Sequence, residues 1–435
     1  MKRLFSFAGH QIPEQMKLYQ LTEDPDVAGC HIYMEAQIFS PDSKRMVLHR
    51  SAHPHGSDAM DPKHQYYLCD FDDEGRLLPL TGERGVTAPA LSPDGQIFYY
   101  FVDGLHTDGT VTLKSLDLRS WKRSVLDRVG PDEAPAYFFY PLSTISSDGG
   151  RLAIATGLRR QDGEGWPEHG LWIFDLERGG HRLMLHGEEF CNLHMQYCRS
   201  KEHPHLMMIQ HNHGSRLAGK TDGAKTSVGK NHVAALDAAA GFALRQIRKS
   251  SDPAAENTGF GLDLHLFSDE DGSWGTLPVG RDGVEFGQGH QCWRGETTRA
   301  ISSTLLFQTP DTALQELVEL EPFPGAVHCW NSRSGGARNR LSRRIETPHF
   351  LHFATDRRGE RIVSDYEADN GEWHLYAGRL GEMGEAAQLQ CVCNLGSRKV
   401  SPWHPHPFLS PDGRAAFFNS SASGQLQAYR LELDW

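Results

Sequence analysis

No stretch of the chain approaches the roughly 18 consecutive apolar residues that a membrane-spanning helix needs. A surplus of positive charge is also missing. The 44 Lys and Arg stand against 56 Asp and Glu, giving a net charge of −12. That balance excludes a non-specific binder of nucleic acid or of anionic membrane, and a polyanionic substrate needs a local basic pocket to overcome it. The opening MKRLFSFAGHQIPEQMKLYQLTED has neither an apolar h-region nor an A-x-A site, so no signal peptide is expected. The expected location is the cytoplasm, and a periplasmic or secreted one would require a leader removed from this chain. Cysteine is sparse: Cys30, Cys69, Cys191, Cys198, Cys292, Cys329, Cys391 and Cys393 are scattered, which argues for reduced thiols rather than a disulfide framework.

What is abundant is one returning phrase, a Ser-Pro-Asp-Gly-type turn followed at once by a β-rich run. Clear copies are FSPDSKRMVLHR (39–50), LSPDGQIFYYF (91–101), ISSDGGRLAIAT (145–156) and LSPDGRAAFFN (409–419). Worn copies are MQYCRSKEHPHLMMIQHN (195–212), CWRGETTRAISSTLLF (292–307) and FATDRRGERIVSD (353–365). Proline presets φ, aspartate caps the turn and glycine takes the φ > 0 position, so each copy reads strand, tight turn, strand. The turn aspartates Asp42, Asp94 and Asp148 are 52 and 54 residues apart, and the remaining 264 residues to Asp412 hold the three worn copies. Spacing of this order marks a propeller or a solenoid, and seven turns read as seven blades.

A second phrase, an apolar strand closing in a turn, follows each copy at 65–81, 111–126, 170–185, 232–247, 373–389 and 425–435 and reads as the outer strands of four-stranded blades. The last copy stops after its third strand. KLYQLTED (17–24) matches the blade-ending LLPLT of 77–81, so it is expected to supply the missing fourth strand and remove the open edge. The prediction is an all-β, seven-bladed propeller spanning 1–435 as one domain. Long loop insertions are expected at about 214–231, which is small, polar and basic, and at 248–286. RSGGARNRLSRRIE (333–346) reads as a further basic loop, either a solvated face or a cationic rim.

The 24 histidines carry the chemical signal. His404-Pro-His406 stands before the last turn, and residues two apart in an extended strand face the same side. The same place holds His349 and His352 in blade 6, His290 and Cys292 in blade 5, and His194 with Gln196 in blade 4. Four consecutive blade entrances bearing histidine predict a metal or acid/base site at one end of the channel. HPHG (53–56) and HPH (203–205) have the same spacing and are read as loops. Imidazole with a thiolate suits Zn, while imidazole with oxygen also admits Mn or Fe.

These residues resemble the oligogalacturonate lyases, a family of seven-bladed propeller enzymes of pectin breakdown. The resemblance runs through YQLT (19–22), CHIYMEAQIFSPDSKRMVLHRS (30–51), QYYLCDF, LHMQY, IQHNHG, GHQCW, LHFATDRRG and HPHPFLSPDG. GHQCW is similar to the family's GHEFW, which implies His290 as catalytic base. HPHPFLSPDG implies His404 and His406 as metal ligands, and LHFAT implies His352, with His349 in reserve. Two places depart. Ser401 stands where the family has a ligand Gln, which leaves Cys292 or water to complete a Zn site in place of the family's Mn. The substrate-binding stretch is here IQHNHGSRL, which offers His211 and Arg216, with Arg216 as the arginine that acts on the substrate carboxylate.

The resemblance implies β-elimination on an anionic uronate oligosaccharide, giving a 4,5-unsaturated product. A cation must neutralise the carboxylate beside C5, by a metal or by Arg pairing. A base such as His must then take the weakly acidic C5 proton. The departing O4 needs a proton from an acid that the sequence does not name, Tyr140 and Tyr197 being guesses. The rivals are an ulvan-type or other uronate lyase and a non-catalytic TolB- or WD-like binding propeller, which the turns alone fit equally well. A monomer or weak dimer is expected.

Overall fold

The structure is a computed structural model. It describes all residues except 34–35, 52–59, 134–135, 159–167, 188–189, 191–192, 213–261, 278, 280–284, 310–311, 321–337, 340–349, 369, 383–384, 386, 398–403 and 435, together with the side chains of some strand residues, His211 among them.

Every regular element among the described residues is a β-strand. Consecutive antiparallel strands form seven small sheets, each built outward from an innermost strand, and together they make a seven-bladed β-propeller. The innermost strands are Ala28–His31, Val86–Leu91, Ala136–Ile145, His194–Tyr197, Glu285–Trp293, Phe350–Thr355 and Phe408–Leu409. Blade 7 continues through Ala415–Ser420 and Gln427–Glu432, and the expected N-terminal strand closes it. Lys17–Gln20 pairs antiparallel with Gln427–Glu432, in the register Leu18 with Leu431 and Gln20 with Tyr429. Leu18 and Leu431 are both fully buried, so an apolar side chain from each end of the chain locks the ring. Lys2–Leu4 adds a fifth strand outside it.

The turns after the innermost strands of blades 1, 2, 3 and 7 share one bonding scheme. The hydroxyls of Ser40, Ser92, Ser146 and Ser410 donate to Asp42, Asp94, Asp148 and Asp412 at 2.5–2.6 Å. Each aspartate in turn accepts a backbone N–H two residues on, at 3.0–3.1 Å. Gly95 and Gly149 have φ of 70° and 78°. A Cβ on Gly95 would meet Pro41 Cδ at 3.0 Å, and one on Gly149 would meet Pro93 Cδ at 3.2 Å. Glycine is therefore needed both for its φ and because each turn lies against the proline of the preceding blade.

One expectation is corrected in blade 4. Its third and fourth strands are Leu262–Ser268 and Trp274–Thr276, inside the segment 248–286 read as loop. The copy at 232–247, assigned to those outer strands, lies outside the described residues, as does the loop expected at 214–231. Acidic, Gly- and Ser-rich flanks hid a strand whose Leu264, Leu266 and Phe267 are fully buried. SDEDGSW is the turn between its last two strands, with Ser268 N–H donating to Ser273 O at 2.8 Å.

Candidate active site

All the innermost strands run the same way, so their starts gather at one mouth of the channel and their Ser-Asp turns at the other. At the first mouth the ladder is repeatedly broken. The blade 3 strand shifts register between Phe139 and Ser143, which sets Tyr140 inside a bulge. Pro141, with no N–H to give the ladder, accounts for that break. The blade 5 strand shifts between Gly287 and Gln291, which sets His290 in a bulge beside Gly289 at φ 92°. The blade 6 strand shifts between Phe350 and Phe353, around His352. A bulge bends its strand and re-aims a side chain out of the alternation.

His352, His404 and His406 offer ligand nitrogens that all lie within 4.8 Å of one another. His352 Nδ1 is 2.9 Å from the Asp365 carboxylate, which also accepts the His352 backbone N–H at 2.8 Å. Asp365 is fully buried on the second strand of blade 6. Burial pushes its pKa up to about 7, against the lowering effect of the His352 N–H, the His290 ring and the His406 N–H. Occupation of Nδ1 by a carboxylate leaves Nε2 as the ligand atom, the usual outer-shell arrangement around a metal-binding imidazole. Three convergent imidazoles with a buried carboxylate behind one of them suit a divalent cation with open positions.

The His-Pro-His segment reaches this geometry by a different route from the expected one. His404 to Pro407 are not in a strand. His406 is left-handed, at φ 46°, just before Pro407. A non-glycine residue so placed costs on the order of 1–3 kcal/mol and persists only where its surroundings enforce it. Here they do. Asn419 N–H donates to Pro405 O at 2.9 Å, and the buried His31 ring lies 3.3 Å from the same oxygen. The His404 and His406 rings stack at 5.5 Å with 19° between planes, and the buried Trp373 ring supports His404 at 5.4 Å.

His290 is next to this group, with its ring centroid 4.4 Å from that of His352. Its Nδ1 is buried and has no hydrogen-bond partner. Burial, reinforced by the neighbouring His352, holds its pKa well below the usual imidazole range, so the ring is neutral at neutral pH. Tyr33, from the loop after the innermost strand of blade 1, packs edge-on against histidines of the mouth. Its ring lies 4.8 Å from His406 and 6.1 Å from both His352 and His194. His194 Nε2 is 2.7 Å from the Tyr140 hydroxyl.

His194, His290, His352, His404 and His406, expected from blades 4 to 7, thus meet at one mouth. Cys292 does not join them, which corrects its reading as a ligand. It is buried among Ile301, Leu317, Phe350 and Phe353 between blades 5 and 6. The bulge at 288–290 breaks the two-residue alternation that would have given His290 and Cys292 a shared face. His211 follows Gln210, the register partner of His194, so its backbone is at the same mouth. Arg216, His349, Ser401 and the HPHG at 53–56 lie outside the described residues. His203 and His205 fall in the turn between the first two strands of blade 4, as read. Tyr197 is at the far side, donating to the buried Asp269 carboxylate, which also holds Arg151 at 3.0 Å and His205 at 2.7 Å. Sequence reading missed Asp365, Tyr33 and His31. For Asp365 a signal was present, since RIVSDYE sets one carboxylate inside an apolar strand, and buried charge needs a partner.

The molecule is therefore a closed seven-bladed propeller with a histidine cluster at one mouth. Among solved structures it is similar over its full length to two oligogalacturonate lyases. One was determined in complex with manganese, with a TM-score of 0.64 and 17% identity over 100% of this chain and 97% of that one. The other, from Vibrio parahaemolyticus, has a TM-score of 0.64 and 15% identity over 100% and 98%. TolB from Acinetobacter baumannii aligns with a TM-score of 0.39 at 12% identity over 87% and 62%, too loosely to carry an argument. No protein-family model and no curated protein matches the sequence.

Proposed function

We propose that this chain is a metal-dependent lyase that cleaves uronate oligosaccharides of the oligogalacturonate type by β-elimination. The observation that carries the reading is His290, a neutral imidazole with a buried, partnerless Nδ1, set 4.4 Å from the ring of His352 in the three-histidine cluster. A propeller with a purely binding role has no use for that combination.

His352, His404 and His406 would hold a divalent ion, Mn or Zn, that acts as a Lewis acid on the substrate carboxylate. With Cys292 outside the cluster, the thiolate argument for Zn lapses and the all-imidazole set admits both metals. His290 takes the C5 proton, since a neutral imidazole is the form that accepts one. Arg216, carried over from the family resemblance, pairs with the carboxylate. Fold likeness to lyases of low identity supports the reading without choosing the sugar.

The test is ultraviolet absorbance of the conjugated 4,5-unsaturated product, with digalacturonate, polygalacturonate, ulvan and glucuronan fragments, with and without EDTA, Mn and Zn. A metal-dependent rise that His290→Ala abolishes is expected, and the responding substrate names the sugar. Flat traces throughout would sink the lyase reading and leave a binding propeller whose histidines hold a structural ion.

A further inference from the structure

We infer that Tyr140, backed by His194, delivers the proton to the departing O4 oxygen. The inference rests on the lyase reading and supplies the acid that the reading needs. Three observations carry it.

The first is placement. Tyr140 sits in a bulge of its innermost strand, the same device that re-aims His290 and His352. Three of the mouth's chemically active side chains are thus presented by local breaks in otherwise regular ladders. The second is pairing. The Tyr140 hydroxyl lies 2.7 Å from Nε2 of His194, and their rings meet edge to face at 5.1 Å. The hydroxyl is also 3.2 Å from Nδ1 of the same ring, and in the tautomer with the proton on Nε2 His194 donates to the phenol oxygen. A hydrogen bond donated to the oxygen also stabilises the phenolate left after proton transfer. The third is reach. His194 connects to the metal-type cluster through Tyr33, whose ring touches both. Tyr197, the other tyrosine of interest, is spent on the buried Asp269.

The step balances. The C5–H bond breaks and the proton goes to His290. Its electron pair forms the C4–C5 double bond, the C4–O4 bond breaks, and its pair stays on O4. O4 takes the Tyr140 phenol proton, and the proton on His290 returns to Tyr140 through solvent. The two products together are isomeric with the substrate, and no co-reactant is consumed. Base and acid come from blades 5 and 3, which flank blade 4.

The experiment compares Tyr140→Phe and His194→Gln with the wild-type chain on two substrates. One is the oligosaccharide cleaved fastest among galacturonate, ulvan and glucuronan fragments. The other is the same uronate carrying a 4-nitrophenyl ether at C4, whose leaving group needs no acid. Tyr140→Phe is expected to be slower by about 10²-fold or more on the oligosaccharide, the usual contribution of a general acid, and close to wild type on the aryl ether. His194→Gln should show the same split, more weakly. An equal fall on both substrates, at an unchanged melting temperature, would make Tyr140 a structural residue and overturn the inference. So would an undiminished rate on the oligosaccharide. A wild-type chain inert on both substrates removes the lyase reading itself, so the two failures are distinguishable.

Discussion

The two mouths of the channel are the two ends of the same innermost strands, and they are built on opposite principles. At the turn mouth one local bonding scheme recurs in blades 1, 2, 3 and 7, a serine hydroxyl on an aspartate and the aspartate on a backbone N–H, with a glycine against the preceding blade's proline in blades 2 and 3. At the histidine mouth the break in the ladder recurs, but the side chains it presents do not. Register shifts lie at like places in the innermost ladders of blades 2, 3, 5 and 6, and with them come a left-handed His406, a buried carboxylate and a partnerless imidazole nitrogen. A repeat that satisfies its own polar groups leaves strain tolerable elsewhere, and local departures from the fold's rules gather where chemistry is done.

The largest contrast between the mouths is expected from their aspartates. Asp365→Asn removes the carboxylate behind His352 and should lower Mn or Zn affinity by about 10–100-fold, the usual effect of losing an outer-shell partner. Asp148→Asn, at the turn mouth, should leave metal affinity unchanged. Titration of the metal-stripped variants measures both. Equal affinities for Asp365→Asn and wild type would mean that the histidine mouth is as structural as the other.

Asp148 sharpens the comparison through pH. Burial alone would raise its pKa. The Ser146 hydroxyl, the Gly150 N–H and the Arg151 charge outweigh burial and hold it below the ordinary 3.8. A carboxylate depressed in the folded state contributes stability that is present above its unfolded pKa and lost as pH falls through the folded one. Asp42 is lowered in the same way, by Ser40 and the Lys44 N–H against burial. Wild-type melting temperature should therefore drop between roughly pH 5 and pH 2, and Asp148→Asn should flatten that drop. A variant with the wild-type slope would show that the turn aspartates contribute nothing through their charge.

The same contrast decides what the sequence could reveal. Turn chemistry is local, so Ser-Pro-Asp-Gly, the blade count and the closing strand at Lys17–Gln20 could be read from short windows. Leu262–Ser268 was lost because its flanks are richer in turn residues than the strand is long. The site was legible as residue types, since His290, His352, His404 and His406 do converge. Its geometry was not legible, because bulges and a left-handed histidine are set by long-range contacts such as Asn419 on Pro405. Alternation placed Cys292 beside His290, and the bulge between Gly287 and Gln291 separated them. Asp365 closes the worn copy at 353–365 but has no carboxylate counterpart in the clear copies, and Tyr33 comes from a position that no repeat marks.

The smallest expected effect lies where the repeat is imperfect. In blade 1, Ser43 stands in place of the turn glycine, at φ 62°. Its side chain is put to use, because Ser43 Oγ accepts the Asp412 backbone N–H at 3.1 Å and so ties blade 1 to blade 7 across the ring closure. Ser43→Ala loses that bond and keeps the strained backbone, for a cost of about 0.5–1.5 kcal/mol. Ser43→Gly loses the same bond and relieves the left-handed conformation, which is worth about 1 kcal/mol, so it should be nearly neutral. The reverse exchange in blade 2 has no such compensation. Gly95→Ser adds strain at φ 70° and pushes a Cβ to 3.0 Å from both Pro41 Cδ and Ser40 Cβ. Urea unfolding midpoints of the three variants should rank Ser43→Gly above Ser43→Ala and Gly95→Ser. If Gly95→Ser matched wild type, packing against Pro41 would not be what fixes the blade 2 turn.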